Sequence, residues 1–279
     1  MWSEHRFISF DETPIFYRVC KASALPRAVF MIIHGMGEHS GRYQAIAEYL
    51  SALGVQSYLP DLRGFGQSGG PKAFVRHFSD FHKDTEALHA FIRRTHPRIP
   101  FFLLGHSFGG LVASSYVSLE NSSGVHGLIL SSPIFGIAIP VPLWRHTLAL
   151  ALSYLFPRYS QESHVTARLL THDCEIIKAY ERDPLIHHRI TACLYRELVF
   201  MIYQKIRIAQ NICVPTLILQ AGEDRVVSRD ATLSFYEAIK AADNEIKIYP
   251  NFYHEVLNET ERSLVFSKIE SWLLKRLLL

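Results

Sequence analysis

Gly105-His106-Ser107-Phe108-Gly109 places a serine between two glycines, after an apolar run (101–105) and before a helix-compatible run. A serine hydroxyl becomes a useful nucleophile only when a base takes its proton and a third group orients that base. G-x-S-x-G between a strand and a helix is the sequence form of a sharp turn that holds such a serine at the carboxyl end of a sheet. The glycines remove side chains that would collide at the turn. The helix that starts there favours developing negative charge at its N-terminus. Ser107 is therefore the candidate nucleophile.

In an architecture of that kind the chain order is serine, acid, histidine. Past the run "TLILQ" (216–220) comes "AGEDRVVSRD", with Asp224 just beyond the strand end. Past "IKIYP" (246–250) comes "NFYHEV", with His254 in the following loop. Glu223 and Asp230 compete with Asp224. Glu223 is adjacent, so its side chain points elsewhere, and Asp230 falls at the next helix start, where capping explains it. Of the 15 histidines, His254 is the one in a post-strand loop after the acid.

Four other clusters invite chemistry. "HGMGEH" (34–39) reads either as a metal-ligand cluster of His34, Glu38 and His39 or as a turn whose backbone matters. "GFGQSG" (64–69) matches G-x-G-x-x-G formally, but no helix opens at its last glycine, and the next acids lie in a helix-like stretch. Dinucleotide binding is not expected from it. The loop that contains it, "DLRGFGQSGG", places Asp61 and Arg63 where they could pair. His187 and His188, read as neighbours on a helix, face different ways and do not chelate one ion. Cys20, Cys174, Cys193 and Cys213 lack metal or disulfide spacing, so free buried thiols in a reducing compartment are expected.

The elements that must position these residues are legible as an alternation. Short apolar runs at 27–33, 55–60, 101–105, 127–132, 216–220 and 246–250 read as strands. Helix-like segments lie near 42–53, 80–95, 107–119, 229–241 and 260–278. That alternation implies βαβ units, an α/β class and a mostly parallel sheet. "HRFISF" and "IFYRVC", separated by "DETP", predict an antiparallel hairpin on the sheet edge. Residues 134–205 break the rhythm, with helical patches and no convincing strand. They read as a helical insertion between core segments 1–133 and 206–279.

Composition narrows the class. With 279 residues, 48% of them hydrophobic, the chain is long enough for one sizeable core. A net charge of +3 without a basic block gives no reason to expect a nucleic-acid partner. The N-terminus shows no secretory pattern. The uncharged stretch "VHGLILSSPIFGIAIPVPLW" carries three prolines, which argues against a spanning helix.

The stretches "HGMGEHSGRY", "DLRGFGQSGG", "GHSFGG", "RDPL", "VPTLILQAGEDRVV" and "KIYPNFYHE" together resemble the monoacylglycerol lipase and lysophospholipase group of α/β-hydrolases. The resemblance implies an eight-stranded, mostly parallel sheet flanked by helices, with a helical cap inserted after the sixth strand. It implies Ser107 as nucleophile, His254 as general base and Asp224 as the acid. It also implies an oxyanion hole from the backbone N–H groups of Met36 and Phe108, with no cofactor and no metal. Glu38 and Arg42 match positions near the polar end of the resembled substrate channel, or anchor the loop as an ion pair. Two positions depart. Leu257 stands where those lipases have a second histidine near the glycerol end, and Phe65 replaces a histidine of the "RGHG" loop.

The expected function is hydrolysis of a lipid carboxylic ester, monoacylglycerol or lysophospholipid, through an acyl-enzyme. The alternatives are a carboxylesterase of short- to medium-chain esters, a serine aminopeptidase or a catalytically silent binding protein on this scaffold. The apolar "PLWRHTLALALSYLF" (142–156) is expected to serve as acyl pocket, as a shallow membrane contact, or as core packing. The expected location is cytoplasmic, with transient contact to a membrane surface. The C-terminal "WLLKRLLL" is expected to pack on the sheet as a helix.

Overall fold

A computed structural model describes residues 1–119, 124–163 and 165–277. In chain order the strands and helices are β1 (Trp2–Ile8), β2 (Pro14–Cys20), β3 (Ala28–Ile33), α1 (Gln44–Ala52), β4 (Val55–Pro60), α2 (Ser79–Thr95), β5 (Phe101–His106), α3 (Phe108–Val117) and β6 (Val125–Ser131). Then come α4 (Leu143–Leu155), β7 (Ser160–Glu162), α5 (Cys174–Arg182), β8 (Arg189–Thr191), α6 (Ala192–Tyr203) and α7 (Lys205–Gln210). The chain closes with β9 (Thr216–Ala221), α8 (Arg229–Ala238), β10 (Asn244–Tyr249) and α9 (Arg262–Leu277).

Eight strands form one sheet in the order β1-β2-β4-β3-β5-β6-β9-β10. The β1–β2 and β2–β4 pairings are antiparallel, and every later pairing is parallel. The expected edge hairpin is therefore present, although β1 begins earlier than its apolar residues suggest.

Strands β3, β5 and β9 are buried along their whole length. That is why they read as unbroken apolar runs, since helices cover both faces of a parallel sheet. Alternate residues serve the two faces. Val29, Met31 and Ile33 join one core with Leu88 of α2 and Leu111 of α3. Ala28, Phe30 and Ile32 join the other with Leu50 of α1 and Ile269 of α9. Trp272 of α9 is buried edge-on against Phe102 of β5. The C-terminal helix thus packs on the sheet, as expected; Leu278 and Leu279 lie outside the described residues.

Between β6 and β9 the chain leaves the sheet for α4, α5, α6 and α7. The expectation of no strand there is corrected: β7 and β8 pair antiparallel over three residues each. They are too short to leave a periodic signal. Helices α5 and α6 are properly started, Asp173 accepting the Glu175 and Ile176 amides and Thr191 the Leu194 amide. Helix α4 buries only Ser153, while Leu143, Trp144, Tyr154 and Leu155 are each more than half exposed. No helix among the described residues is long and apolar enough to cross a membrane. The cysteines also divide: Cys20 and Cys193 are buried, whereas Cys174 and Cys213 are exposed, correcting the expectation that all are buried.

Candidate active site

Ser107 stands between the last residue of β5 and the first of α3, with φ 51° and ψ −115°. A non-glycine residue at positive φ is strained and persists only when its surroundings force it. The surroundings are visible. The Ser107 amide donates to the Ser131 carbonyl at 2.9 Å. A Cβ on Gly109 would lie 2.2 Å from the Ile33 carbonyl oxygen, and one on Gly105 would lie 2.3 Å from the Gly109 carbonyl oxygen. Those glycines let the start of α3 press against the end of β3, and the serine takes up the resulting bend.

Asp224 and His254 converge from separate strand ends. Oδ2 of Asp224 lies 2.9 Å from His254 Nδ1, and Oδ1 accepts the Val226 and Val227 amides at 2.9 Å each. Neither side chain is more than 3% exposed. Burial disfavours the charged imidazole, but the Asp224 carboxylate, with Glu255 and Glu38 further off, outweighs burial and raises the pKa of His254. Burial raises the Asp224 carboxyl as well, yet His254 and the two amides hold it below its usual value. His106, with its ring centroid 4.8 Å from that of His254, is pushed down to about 4 by burial and by His254, so it is neutral.

The competing acids are elsewhere. Glu223 is exposed toward Arg225. Asp230 lies in the first turn of α8, and the capping role expected of it belongs to Ser228, which accepts the Ala231 amide.

Ser107 and His254 face one cavity of about 220 Å³. Among the described residues no hydrogen bond joins them, and such contacts commonly tighten only when substrate is bound. Met36 lines the same cavity. Among the described residues neither the Met36 nor the Phe108 amide donates to a protein acceptor. Two free N–H groups beside a serine are what an oxyanion needs. Much of the rest of the wall is apolar and comes from the segment after β6, including Ile137, Val165, Ile190 and Leu198.

The side chains of "HGMGEH" diverge. His34 is fully buried, with Nδ1 2.7 Å from the Gly35 carbonyl and Nε2 accepting the Leu62 amide at 2.8 Å. Burial lowers its pKa, so the ring is a neutral clamp between two loops. Phe65 meets that ring edge-on. His39 turns the other way, to Asp183 at 2.8 Å. Glu38 accepts the Gly35 amide at 2.5 Å, the Tyr43 hydroxyl at 2.6 Å and Arg42 Nη1 at 2.6 Å.

Arg42 also makes a two-pronged contact with Glu255, at 2.5 and 2.7 Å, and lies over the Tyr180 ring at 4.8 Å. Burial works against the Glu38 carboxyl, but Arg42 prevails and holds it at about 2. Glu38 and Arg42 both reach the cavity wall while serving as a loop anchor. Sequence reasoning gave no role to Glu255 or Tyr180. The only available signal was that Glu255 directly follows His254.

Two further expectations are corrected. Asp61 and Arg63 do not pair: Asp61 accepts the Ser40 and Gln67 amides, and Arg63 pairs with Asp84 and Asp11. His187 and His188 are not helical but precede β8 in a loop, and His187 lines the cavity. Leu257 is buried in the core with Val256 and Phe252, outside the cavity wall.

A family profile described as "Serine aminopeptidase, S33" matches residues 24–261. The chain is 31% identical over 276 residues to a monoacylglycerol lipase of Mycolicibacterium smegmatis, covering 99% of this chain and 98% of the relative. It is 30% identical over 242 residues to a phospholipase of Bacillus subtilis, covering 86% and 93%. Among solved structures it is similar to a monoacylglycerol lipase of Paleococcus ferrophilus, with a TM-score of 0.82, 26% identity and coverage of 92% and 98%.

Proposed function

The chain belongs to the serine aminopeptidase S33 family and, within it, to the monoacylglycerol lipase and lysophospholipase group of α/β-hydrolases; from that premise we propose that Ser107, His254 and Asp224 hydrolyse a lipid ester through an acyl-enzyme. The protein is a carboxylic ester hydrolase. Its substrate is a monoacylglycerol or a lysophospholipid. The observation that carries this reading is the convergence of a strained serine and an aspartate-bound histidine on one largely apolar cavity.

His254 Nε2 takes the proton of Ser107 Oγ as the oxygen attacks the ester carbonyl. Asp224, already bonded to Nδ1, fixes the tautomer and stabilises the imidazolium. The carbonyl oxygen, now an oxyanion, is held by the Met36 and Phe108 amides. His254 then gives the proton to the departing alcohol. In the second half it deprotonates the water that releases the fatty acid. Removing one oxyanion donor costs on the order of 10²–10³ in rate. The Glu38–Arg42 pair walls the polar end of the cavity.

Residues 134–205 act as a cap over the core formed by 1–133 and 206–279, and supply the acyl-binding surface. The exposed apolar side chains of α4 give that cap a shallow contact with a lipid surface. A peptidase would need a free acidic group for the substrate amine. Of the carboxylates in the wall, Glu38 and Glu255 are both engaged by Arg42 and Glu162 faces Arg189 at 3.6 Å, which favours the esterase reading.

A panel of p-nitrophenyl esters from acetate to decanoate, with a monoacylglycerol and a lysophospholipid, tests the proposal. We expect kcat/KM to rise with acyl length and at least one lipid to be cleaved. A preference for acetate with neither lipid cleaved would leave only the short-chain esterase reading.

A further inference from the structure

Met36 is the middle of a short loop whose neighbours are all held. On one side the Gly35 amide donates to Glu38 Oε1 at 2.5 Å. On the other, the Gly37 carbonyl accepts the His187 amide at 2.7 Å. Gly37 has φ 82°, and a Cβ there would sit 2.6 Å from the His187 carbonyl oxygen. The two backbones are thus in direct contact, and only glycine permits it.

A third anchor follows. His39 Nδ1 accepts the Gly41 amide at 3.2 Å, so the ring proton is on Nε2, which donates to Asp183 Oδ2 at 2.8 Å. The other oxygen of Asp183 accepts the Leu185 amide at 2.8 Å, and the Asp183 carbonyl accepts the Ile186 amide at 3.2 Å. That closes a tight turn leading straight to His187.

Two of these three anchors come from residues 183–187, not from the sheet that carries Ser107. Asp183 belongs to both. It holds His39 with one oxygen and shapes the turn that presents the His187 amide with the other. It is not in the cavity wall with Ser107 and His254, so it does not touch substrate there.

We infer that Asp183 is a positioning residue for the oxyanion hole: through His39 and the His187 turn it fixes the direction of the Met36 N–H. The segment after β6 then has two tasks. It lines the acyl cavity, and it braces one of the two donors on which the rate depends. This rests on the reading of Met36 as an oxyanion donor. Misplacing such a donor by a fraction of its hydrogen-bond length weakens the transition state far more than the bound ester.

The test uses the full chain, with steady-state kinetics on a p-nitrophenyl ester and inhibition by a long-chain trifluoromethyl ketone. The ketone adds to the serine, and its oxygen then occupies the oxyanion position. For Asp183→Ala we expect kcat to fall about tenfold or more, with KM nearly unchanged. The ketone's Ki should rise by the same factor as kcat/KM falls. Asp183→Asn keeps an acceptor for only one of the two donors, so it should not recover wild-type kcat or Ki.

If Asp183→Ala does not fold by circular dichroism, His39→Phe removes one anchor while leaving the Asp183 turn, and carries the same expectation. Wild-type kcat and Ki in a folded variant would overturn the inference. So would a rise in KM alone, or full wild-type kcat and Ki in a folded Asp183→Asn protein. A wild-type protein inactive on every ester would instead sink the hydrolase reading itself.

Discussion

Asp224 and His254 share a hydrogen bond of 2.9 Å between side chains that lie 30 residues apart, on loops after two neighbouring parallel strands. The aspartate's second oxygen is occupied by two backbone amides, so the carboxylate cannot rotate away. Its charge faces the imidazole and raises it above its usual 6.5 against the effect of burial.

A pH profile follows. His254 must be neutral to accept the serine proton, so kcat/KM should climb with pH and level off only above a midpoint higher than 6.5. Asp224→Asn leaves burial unopposed by the nearest charge, so the midpoint should move down. The same variant should lose activity by a factor on the order of 10⁴. A midpoint that stayed put in a folded Asp224→Asn protein would contradict the proposed pairing. Linkage gives a second readout. The raised imidazole contributes stability that is present below its unfolded value and lost as pH rises through its folded value. The lowered carboxyl contributes stability present above its unfolded value and lost as pH falls through its folded one. The pair's contribution is therefore largest between those limits, which urea titrations at several pH values can check.

The strained backbone of Ser107 separates activity from stability. Ser107→Ala should abolish ester turnover and labelling by a fluorophosphonate. Ser107→Gly should be equally inactive, but its φ of 51° is no longer costly, and we expect a gain of about 1 kcal/mol in stability. A glycine variant less stable than the alanine variant would contradict the strain argument.

Among the described residues Arg42 is the one cation that pairs with both Glu38 and Glu255, and all three side chains are 9% exposed or less. Removing it leaves two buried carboxylates unpaired. Arg42→Met should therefore cost about 3–5 kcal/mol in urea denaturation. Lysine does not reproduce a two-pronged contact, so Arg42→Lys should recover only part of this loss. A stable Arg42→Met protein with a raised KM would instead make Arg42 chiefly a substrate contact.

Trp144 and Leu155 lie outward on α4 and outside the cavity wall. Replacing both with serine should weaken co-sedimentation with phospholipid vesicles severalfold while leaving turnover of a soluble p-nitrophenyl ester unchanged. Equal co-sedimentation of the double variant and the wild type would remove the proposed lipid-surface contact.

Much of the chain's organisation was legible because it is local. A parallel strand buried on both faces must be a short apolar run, and β3, β5 and β9 read that way. Ser107 was legible from its flanking glycines, Asp224 and His254 from their places just past strand ends. The hidden elements had local reasons too. Strands β7 and β8 are three residues each, too short to show a period. His187 and His188 were misread as helical although the turn before them, Asp183 to Ile186, carries Pro184 at its second position, a local turn signal reinforced by the Asp183 side chain.

By itself the sequence determined the sheet, the order of the candidate triad and the family, since each follows from residue type and spacing along the chain. Only the tertiary structure decided which charges meet. Arg42 pairs with Glu255, 213 residues away, and His39 with Asp183, 144 residues away. Asp61 and Arg63 lie two residues apart and do not pair at all. The physical reason is that a buried charge must find a partner wherever folding brings one within hydrogen-bond reach, and spacing along the chain carries no record of that distance.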